Sequence, residues 1–306
     1  MMQPEYFIER KKIKKQLSMW KLAAVGLMAI VMTLVLGSFS KKSSKISDFI
    51  KSEPTDYIAS VYIDGMIVDD KKRDAKILKI CDDEKIKALI IYINSPGGTV
   101  GASESLYNAF KKISLKKPTV AVMQTMAASG GYLASLGADH IIALNSTMTG
   151  SLGVLFQNFE ITNLADKIGI TLYSFKSNPL KAAPNMMEKI TPQVEEAAMS
   201  MIKDCYNYFV ETIAERRKLP KEYVMQIADG RVYTGRQAFE LKLVDKIGGL
   251  DEALKWLHEE KKVDENLEVY EYKLKSKTLL QEILGQEIEQ KIRGLFSMNT
   301  GLVLAQ

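Results

Sequence analysis

The stretch Thr125-Met126-Ala127-Ala128-Ser129-Gly130-Gly131-Tyr132 follows the apolar run 119–123 and opens a segment with the pattern of a helix. A similar junction occurs one predicted strand earlier, where Asn94-Ser95-Pro96-Gly97-Gly98 directly follows the apolar run 88–93. Continuously apolar strands that alternate with helices indicate a parallel sheet with helices on its faces. Ligands bind such sheets at the carboxyl ends of the strands, so both glycine-bearing turns are expected at one binding edge.

The same alternation continues along the chain. Further strands are predicted at 57–63, 140–143 and 170–175. Helices are predicted at 70–81, 102–113, 129–136, 164–168, 192–218 and 236–241, with Thr191 as the N-cap of the long one. The fold class that follows is α/β.

The two turns carry the residue types that acyl transfer needs. Glycine-bearing turns at strand ends can place one serine hydroxyl, that of Ser129, beside free backbone N–H groups at Gly97 and Gly98. A simple helix N-cap is the alternative for Ser129, and strand ends also carry glycines for steric reasons alone. The pairing of the turns favours a nucleophile next to an oxyanion hole.

A serine nucleophile needs a base, and histidine is a poor candidate in this chain. The sequence contains two histidines, His140 at the start of a predicted strand and His258 in a charged helical stretch. A Ser–His–Asp triad is therefore disfavoured, and a serine–lysine pair remains. A lysine is neutral near pH 7 only when apolar groups bury it. Lys181 has small or apolar neighbours, Lys176 is the competitor, and composition does not choose between them.

The positive charge of the chain is concentrated at its N-terminus. The 306 residues carry a formal charge of +5. Residues 1–45 hold nine Lys or Arg against two Glu, a local +7, so residues 46–306 carry −2. A basic face for nucleic acid is therefore not indicated.

Residues 22–39 form an uncharged run of 18 residues, about 27 Å long as a helix, which spans a bilayer core. Six basic residues precede it and favour a single-pass anchor in the cell (inner) membrane, with a cytoplasmic N-terminus and an extracytoplasmic, periplasmic catalytic domain. A cleaved signal peptide is the alternative, because Ser38 and Ser40 are small enough to mark a cleavage site.

These patterns divide the chain into five parts. We predict a basic N-terminus at 1–21, the anchor at 22–39, a juxtamembrane linker at 40–56, a protease domain at 57–260 and a C-terminal extension at 261–306. No metal-ligand spacing is present, and no cofactor is expected.

Four motifs stand in order along the chain: Asn94-Ser95-Pro96-Gly97-Gly98, Ala127-Ala128-Ser129-Gly130-Gly131-Tyr132, Thr149-Gly150-Ser151-Leu152-Gly153-Val154 and Gly230-Arg231-Val232-Tyr233-Thr234-Gly235. Together they resemble the signal peptide peptidase A family, serine–lysine membrane proteases of the Clp-protease/crotonase superfamily. The resemblance covers roughly residues 57–257 and implies a fold of repeated β-β-α units.

The resemblance also assigns roles. It implies Ser129 as nucleophile and Lys181 as general base, although the family usually shows Gly-x-Tyr-Lys where this chain has Asn178-Pro179-Leu180-Lys181. The remaining site residues that it implies are Gly98 and Gly130 for the oxyanion hole, Ser151 to orient the lysine, and Gly97, Leu152, Gly153 and Val154 along the substrate.

The function implied is degradation of remnant signal peptides, after their release from secreted proteins, by a membrane-anchored endopeptidase. Its expected partners are these and other short apolar peptides, the lipid bilayer, and copies of itself in a homo-oligomeric ring whose dyads can be built from neighbouring subunits. Two alternatives stay open, a catalytically silent membrane-anchored scaffold ring and a crotonase-like acyl-CoA enzyme. The anchor, and a serine in place of a carboxylate, argue against the second.

Overall fold

The computed structural model describes residues 56–274. The predicted parts 1–21 and 22–39, nearly all of 40–56, and most of 261–306 lie outside the described residues. Between residues 56 and 274, no helix is both long enough and apolar enough to cross a membrane.

A sheet of eight strands forms the centre of the described part. The strands are β1 (Tyr57–Asp64), β2 (Ile86–Ser95), β3 (Thr119–Ala128), β4 (His140–Ala143), β5 (Met148–Gly150), β6 (Val232–Thr234), β7 (Lys246–Ile247) and β8 (Val269–Glu271). The order is β6-β5-β3-β2-β1-β8, and β4 pairs with β3 and with β7. Only the β5–β6 pairing is antiparallel among these strands. The predicted α/β class with a largely parallel sheet is confirmed.

Helices connect the strands in the predicted alternation. They are α1 (Lys71–Lys79), α2 (Val100–Ser114), α3 (Gly130–Ser135), α4 (Thr162–Lys167), α5 (Pro192–Arg217), α6 (Lys221–Ile227), α7 (Gly235–Glu240) and α8 (Leu250–Glu259). The start of α5 follows the sequence closely, because the Thr191 hydroxyl accepts a hydrogen bond from the Val194 amide and Pro192 occupies the first turn.

The core lies on both faces of the sheet. On one face, Leu106 and Phe110 of α2 and Phe209 of α5 pack in one cluster with alternate strand residues such as Leu89 and Ile91. On the other face, Ala253 and Leu257 of α8 pack against Ile58, Ile90 and Val120. Each fully buried Leu, Ile or Phe contributes about 1.5–3 kcal/mol. Because both faces are covered, the central strands are apolar without alternation.

The structure differs from the sequence prediction between β5 and α5. Residues 170–175 form no strand, and the side chains of Ile170, Leu172 and Phe175 are 52, 48 and 98% exposed. Residues of high β-propensity form a strand only when they pair with another strand, and these residues pair with no described strand.

We call residues 155–190 the arm. Its large apolar side chains are exposed at Leu155, Phe156, Phe159, Leu164, Ile168, Ile170, Leu172, Tyr173, Phe175, Met186 and Ile190.

Several short elements gave no sequence signal. Strands β5 to β8 have only two or three residues each, and β6 lies within a segment whose glycines indicate a turn. Strand β8 pairs with β1 from inside the predicted C-terminal extension, so the sheet continues beyond residue 260.

Candidate active site

Ser129 lies at the junction between β3 and α3 in a backbone conformation that serine rarely adopts. Its φ is 52° and its ψ is −117°. Such a conformation costs about 1–3 kcal/mol and persists only where the surroundings enforce it. The Ser129 amide donates to the Gly150 carbonyl at 2.8 Å. The side chain, however, makes no capping hydrogen bond. The N-cap alternative is therefore unsupported, and the hydroxyl is uncommitted within the described residues.

Tyr132 anchors helix α3 to the core. Its ring is fully buried, and its hydroxyl donates to the Leu243 carbonyl at 2.9 Å. Burial raises the pKa of Tyr132, so the hydroxyl stays protonated and remains a donor. This bond holds the short helix that begins directly after Ser129.

The turn at Gly97 and Gly98 lies against Ser129, as the sequence predicts. A Cβ atom at Gly97 would lie 2.8 Å from the Gly130 nitrogen and 3.0 Å from the Ser129 Cβ. Gly97 also has a φ of +105°, which favours glycine. A side chain at this position would separate the two turns, so glycine is required for their contact.

Two backbone nitrogens, those of Gly98 and Gly130, lie at this contact. Ile67 forms a parallel bridge with Gly98, in which the Ile67 amide donates to Gly97 and the Ile67 carbonyl accepts from Thr99. In such a bridge the N–H of Gly98 faces away from Ile67. A Cβ atom at Gly130 would lie 3.2 Å from the Gly98 nitrogen. Neither the Gly98 nor the Gly130 amide donates to another residue in the described part of the chain. Two free donors beside one hydroxyl have the composition of an oxyanion hole.

This close packing makes a first prediction at Gly98. A Cβ atom there would lie 1.8 Å from the Ile67 carbonyl oxygen, which belongs to the backbone. Gly98→Ala is expected to lower the free energy of unfolding by about 1–3 kcal/mol. It should also lower kcat by about 100-fold, because the displaced loop misdirects its N–H.

Gly101→Ala is the matched control for Gly98→Ala. Gly101 lies in the first turn of α2, and a Cβ atom there meets nothing within 4 Å. This variant should keep its activity and gain up to about 1 kcal/mol of stability. Chemical denaturation and peptide hydrolysis measure both effects. Equal behaviour of the two alanine variants would show that the loop is not tightly constrained.

Ser151 and the residues after it lie on the other side of Ser129. Ser151 has a φ of 49°, and its amide donates to the Arg231 carbonyl at 2.7 Å. It directly follows Gly150, which accepts the hydrogen bond from Ser129. The chain then leads into a groove of about 660 Å³. The groove is lined by Leu152, Gly153, Val154, Glu196, Met199, Ser200, Ile202, Lys203, Tyr206, Ala228, Asp229 and Gly230.

Lys181 lies in the arm and is exposed. Its amide donates to the Asn178 carbonyl at 2.9 Å, but its ammonium group forms no hydrogen bond or ion pair with a residue of 56–274. The single chain therefore does not supply the burial that a neutral lysine needs, and no hydrogen bond joins Lys181 to Ser129.

Lys176, the competing lysine, is ion-paired with Glu188 and its side chain is only 16% exposed. The hydrogen bond from Lys176 lowers the pKa of the Glu188 carboxyl. The Lys176 ammonium is therefore engaged by Glu188 in the single chain, and no hydrogen bond joins it to Ser129.

The histidines are engaged elsewhere. His140 pairs in register with Val120, eight residues before the end of β3 and so about 26 Å along the strand from the Ser129 end. The His140 ring stacks on Trp256 with centroids 4.8 Å apart, and burial lowers its pKa. His258 Nδ1 lies 2.9 Å from the Val263 carbonyl. Neither ring is placed as a base for Ser129.

Metal chemistry has no candidate ligand set in this part of the chain. From residue 56 to residue 274, no three His, Cys, Asp or Glu side chains are grouped so that they could hold an ion.

Sequence reasoning missed two residues that shape the site. Ile67 fixes the Gly98 loop through its backbone, and no local pattern marks that role. Ser103 of α2 lies so close that its Oγ would be 2.1 Å from a Cβ atom at Gly130. The sequence signal that could have found Ser103 is its position on the same helix face as Leu106 and Phe110, which pack against the sheet.

Comparison with known proteins gives matches over the whole site. Residues 111–264, about half of the chain, match the model of peptidase family S49, and residues 59–150 match that of Clp protease. The first match includes Ser129, Ser151 and Lys181, and the second includes Gly98 and Ser129.

Individual relatives extend these matches. A Synechocystis protein named "Putative protease" is 37% identical over 200 residues, 65% of this chain and 72% of that protein. An Enterococcus faecium protein named "Putative signal peptide peptidase SppA" is 34% identical over 216 residues, 70% of this chain and 62% of its own length. "Protease 4" of Haemophilus influenzae is 36% identical over 209 residues, 64% of this chain but only 34% of its own.

Proposed function

Because this chain belongs to peptidase family S49 and is a serine peptidase, we propose that it is an endopeptidase with Ser129 as nucleophile and Lys181 as general base. The observation that carries the proposal is the strained, uncommitted Ser129 beside the free amides of Gly98 and Gly130. Membership of a peptidase family favours neither the silent scaffold nor the acyl-CoA enzyme.

The reaction follows from these positions. The neutral Lys181 amine takes the proton of the Ser129 hydroxyl as Oγ attacks the peptide carbonyl carbon. The Gly98 and Gly130 amides donate to the resulting oxyanion, and each donor lowers the barrier by about 2.7–4 kcal/mol. The lysine then gives its proton to the leaving amine, and water hydrolyses the acyl-enzyme with the same lysine as base. Ser151 orients the lysine through its hydroxyl.

The burial of Lys181 comes, in this proposal, from assembly. The arm exposes Phe159 by 80%, Tyr173 by 79% and Phe175 by 98% on the single chain. Covering each such side chain contributes about 1.5–3 kcal/mol, so a second copy seated on the arm is favoured. Since Lys181 lies within the arm, the same contact would exclude water from its amine. A homo-oligomeric ring, with dyads completed between neighbouring subunits, meets this requirement.

The proposed substrates are remnant signal peptides and other short apolar peptides. The groove beside Leu152, Gly153 and Val154 carries apolar side chains at Met199, Ile202 and Tyr206, which suit an extended apolar peptide. From the sequence alone, we propose that residues 22–39 are a single-pass anchor in the cell membrane, with the catalytic domain extracytoplasmic. An anchored enzyme meets such substrates in the bilayer that already contains them.

A peptide panel tests the substrate class. The full-length protein in detergent or vesicles is incubated with synthetic signal peptides and with polar peptides of equal length, and mass spectrometry identifies the products. We expect signal peptides to be cut within their apolar cores at least about tenfold faster than polar ones. Equal cleavage of both sets would contradict the substrate class, and the absence of any product would contradict the peptidase assignment itself.

A further inference from the structure

Ser95, at the end of β2, has a role in the site that its motif does not reveal. Its side chain is fully buried. Its Oγ accepts a hydrogen bond from the Gly97 amide at 3.1 Å, and the hydroxyl in turn donates to the Gly97 carbonyl at 3.4 Å. The hydroxyl therefore closes a tight turn over residues 95–97, in which Gly97 has its positive φ.

This turn controls the direction of the Gly98 amide. The Gly97 carbonyl and the Gly98 N–H belong to one planar peptide unit and point in opposite directions. Ile67 donates to that carbonyl at 2.8 Å from one element, and Ser95 donates to it from another. Two donors on the carbonyl hold the plane, and so direct the Gly98 N–H toward Ser129.

Ser95 also contacts the second amide-bearing turn. It pairs in register with Ala127, two residues before Ser129. Its carbonyl oxygen would lie 2.9 Å from a Cβ atom at Gly131, and its own Cβ would lie 3.4 Å from that atom. One buried residue thus supports both the turn of Gly98 and the turn that carries Gly130.

We propose that Ser95 is a positioning residue for oxyanion stabilisation, acting through the Gly97–Gly98 peptide plane. The proposal rests on the function proposed above. Without the hydroxyl, the buried Gly97 amide has no acceptor among the described residues. A buried, unpaired N–H is costly, so the turn rotates to satisfy it and carries the Gly98 N–H away from the oxyanion.

The test compares Ser95→Ala with Ser135→Ala in the full-length protein. Ser135 is an equally buried serine whose hydroxyl donates to a nearby backbone carbonyl, that of Tyr132, at 2.6 Å. For Ser95→Ala we expect kcat to fall about 10- to 100-fold with KM within about twofold. The inhibition constant of a peptide aldehyde, whose adduct places an oxyanion in the hole, should rise by the same factor. Ser135→Ala should change neither quantity more than about threefold.

Ser95→Cys serves if the alanine variant does not fold. It keeps nearly the same volume but offers a much weaker acceptor, so the same losses are expected. Unchanged kcat and aldehyde affinity in either folded Ser95 variant would overturn the proposal, as would equal losses in the Ser135 variant. Failure of the parent protein to cleave peptides or to label at Ser129 would instead overturn the proposed function, and this inference with it.

Discussion

Ser129→Ala is expected to lower kcat/KM for peptide hydrolysis by about 10⁴- to 10⁶-fold. The free energy of unfolding should change by less than about 0.5 kcal/mol. The two effects separate because the Ser129 side chain makes no capping hydrogen bond, while its backbone amide is the group that bonds Gly150. Alanine keeps that amide and carries the same strain at a positive φ. Peptide hydrolysis and chemical denaturation measure the pair of effects.

A fluorophosphonate probe supplies the direct control for this prediction. In the parent protein, mass spectrometry should find the mass of the probe on the peptide that contains Ser129. In the Ser129→Ala variant it should find the mass of the probe on no peptide. Ser151 is the rival serine, since it is also half-buried and has a positive φ. Labelling at Ser151, or more than a tenth of the parent activity in Ser129→Ala, would contradict the assignment of the nucleophile.

The meeting of the two glycine turns could be predicted because it depends on strand order alone. Strands β2 and β3 are neighbours in the sheet, so the residues that follow them meet at one edge. The register between them shifts near their ends, where Ile93 pairs with Met123 but Ser95 pairs with Ala127. No sequence pattern indicates that shift. The shift places Ser95 opposite Ala127, two residues before Ser129.

The environment of Lys181 could not be predicted from its neighbours. Pro179, Leu180 and Ala182 are apolar or small, and the sequence therefore predicts a dry setting. Burial, however, depends on what packs over a segment, and in the single chain the arm packs little of its apolar surface. The predicted strand at 170–175 is wrong for the same reason, because strand formation depends on a partner.

Lys181→Met is expected to lower kcat/KM by about 10²- to 10⁴-fold, the usual contribution of a general base. Methionine keeps much of the apolar stem and removes the amine. Since the Lys181 ammonium forms no ion pair with a residue of 56–274, its loss should cost little stability. Lys189→Met is the matched control, an exposed lysine of the same arm, and should retain activity within about twofold. Full activity of Lys181→Met would remove this lysine from the mechanism.

Co-expression of Lys181→Met with Ser129→Ala then tests where the dyad forms. Each variant alone is expected to keep at most about 1% of the parent activity, whichever chain supplies the missing partner. If Ser129 of one copy meets Lys181 of the next, random mixing leaves about a quarter of the sites with both groups intact, and activity returns to that level. If both groups come from one chain, mixed assemblies contain no complete site beyond those of the inactive parents. We expect recovery, because the Lys181 side chain is exposed and its ammonium forms no hydrogen bond or ion pair with a residue of 56–274. The arm around it also presents apolar surface for a second copy.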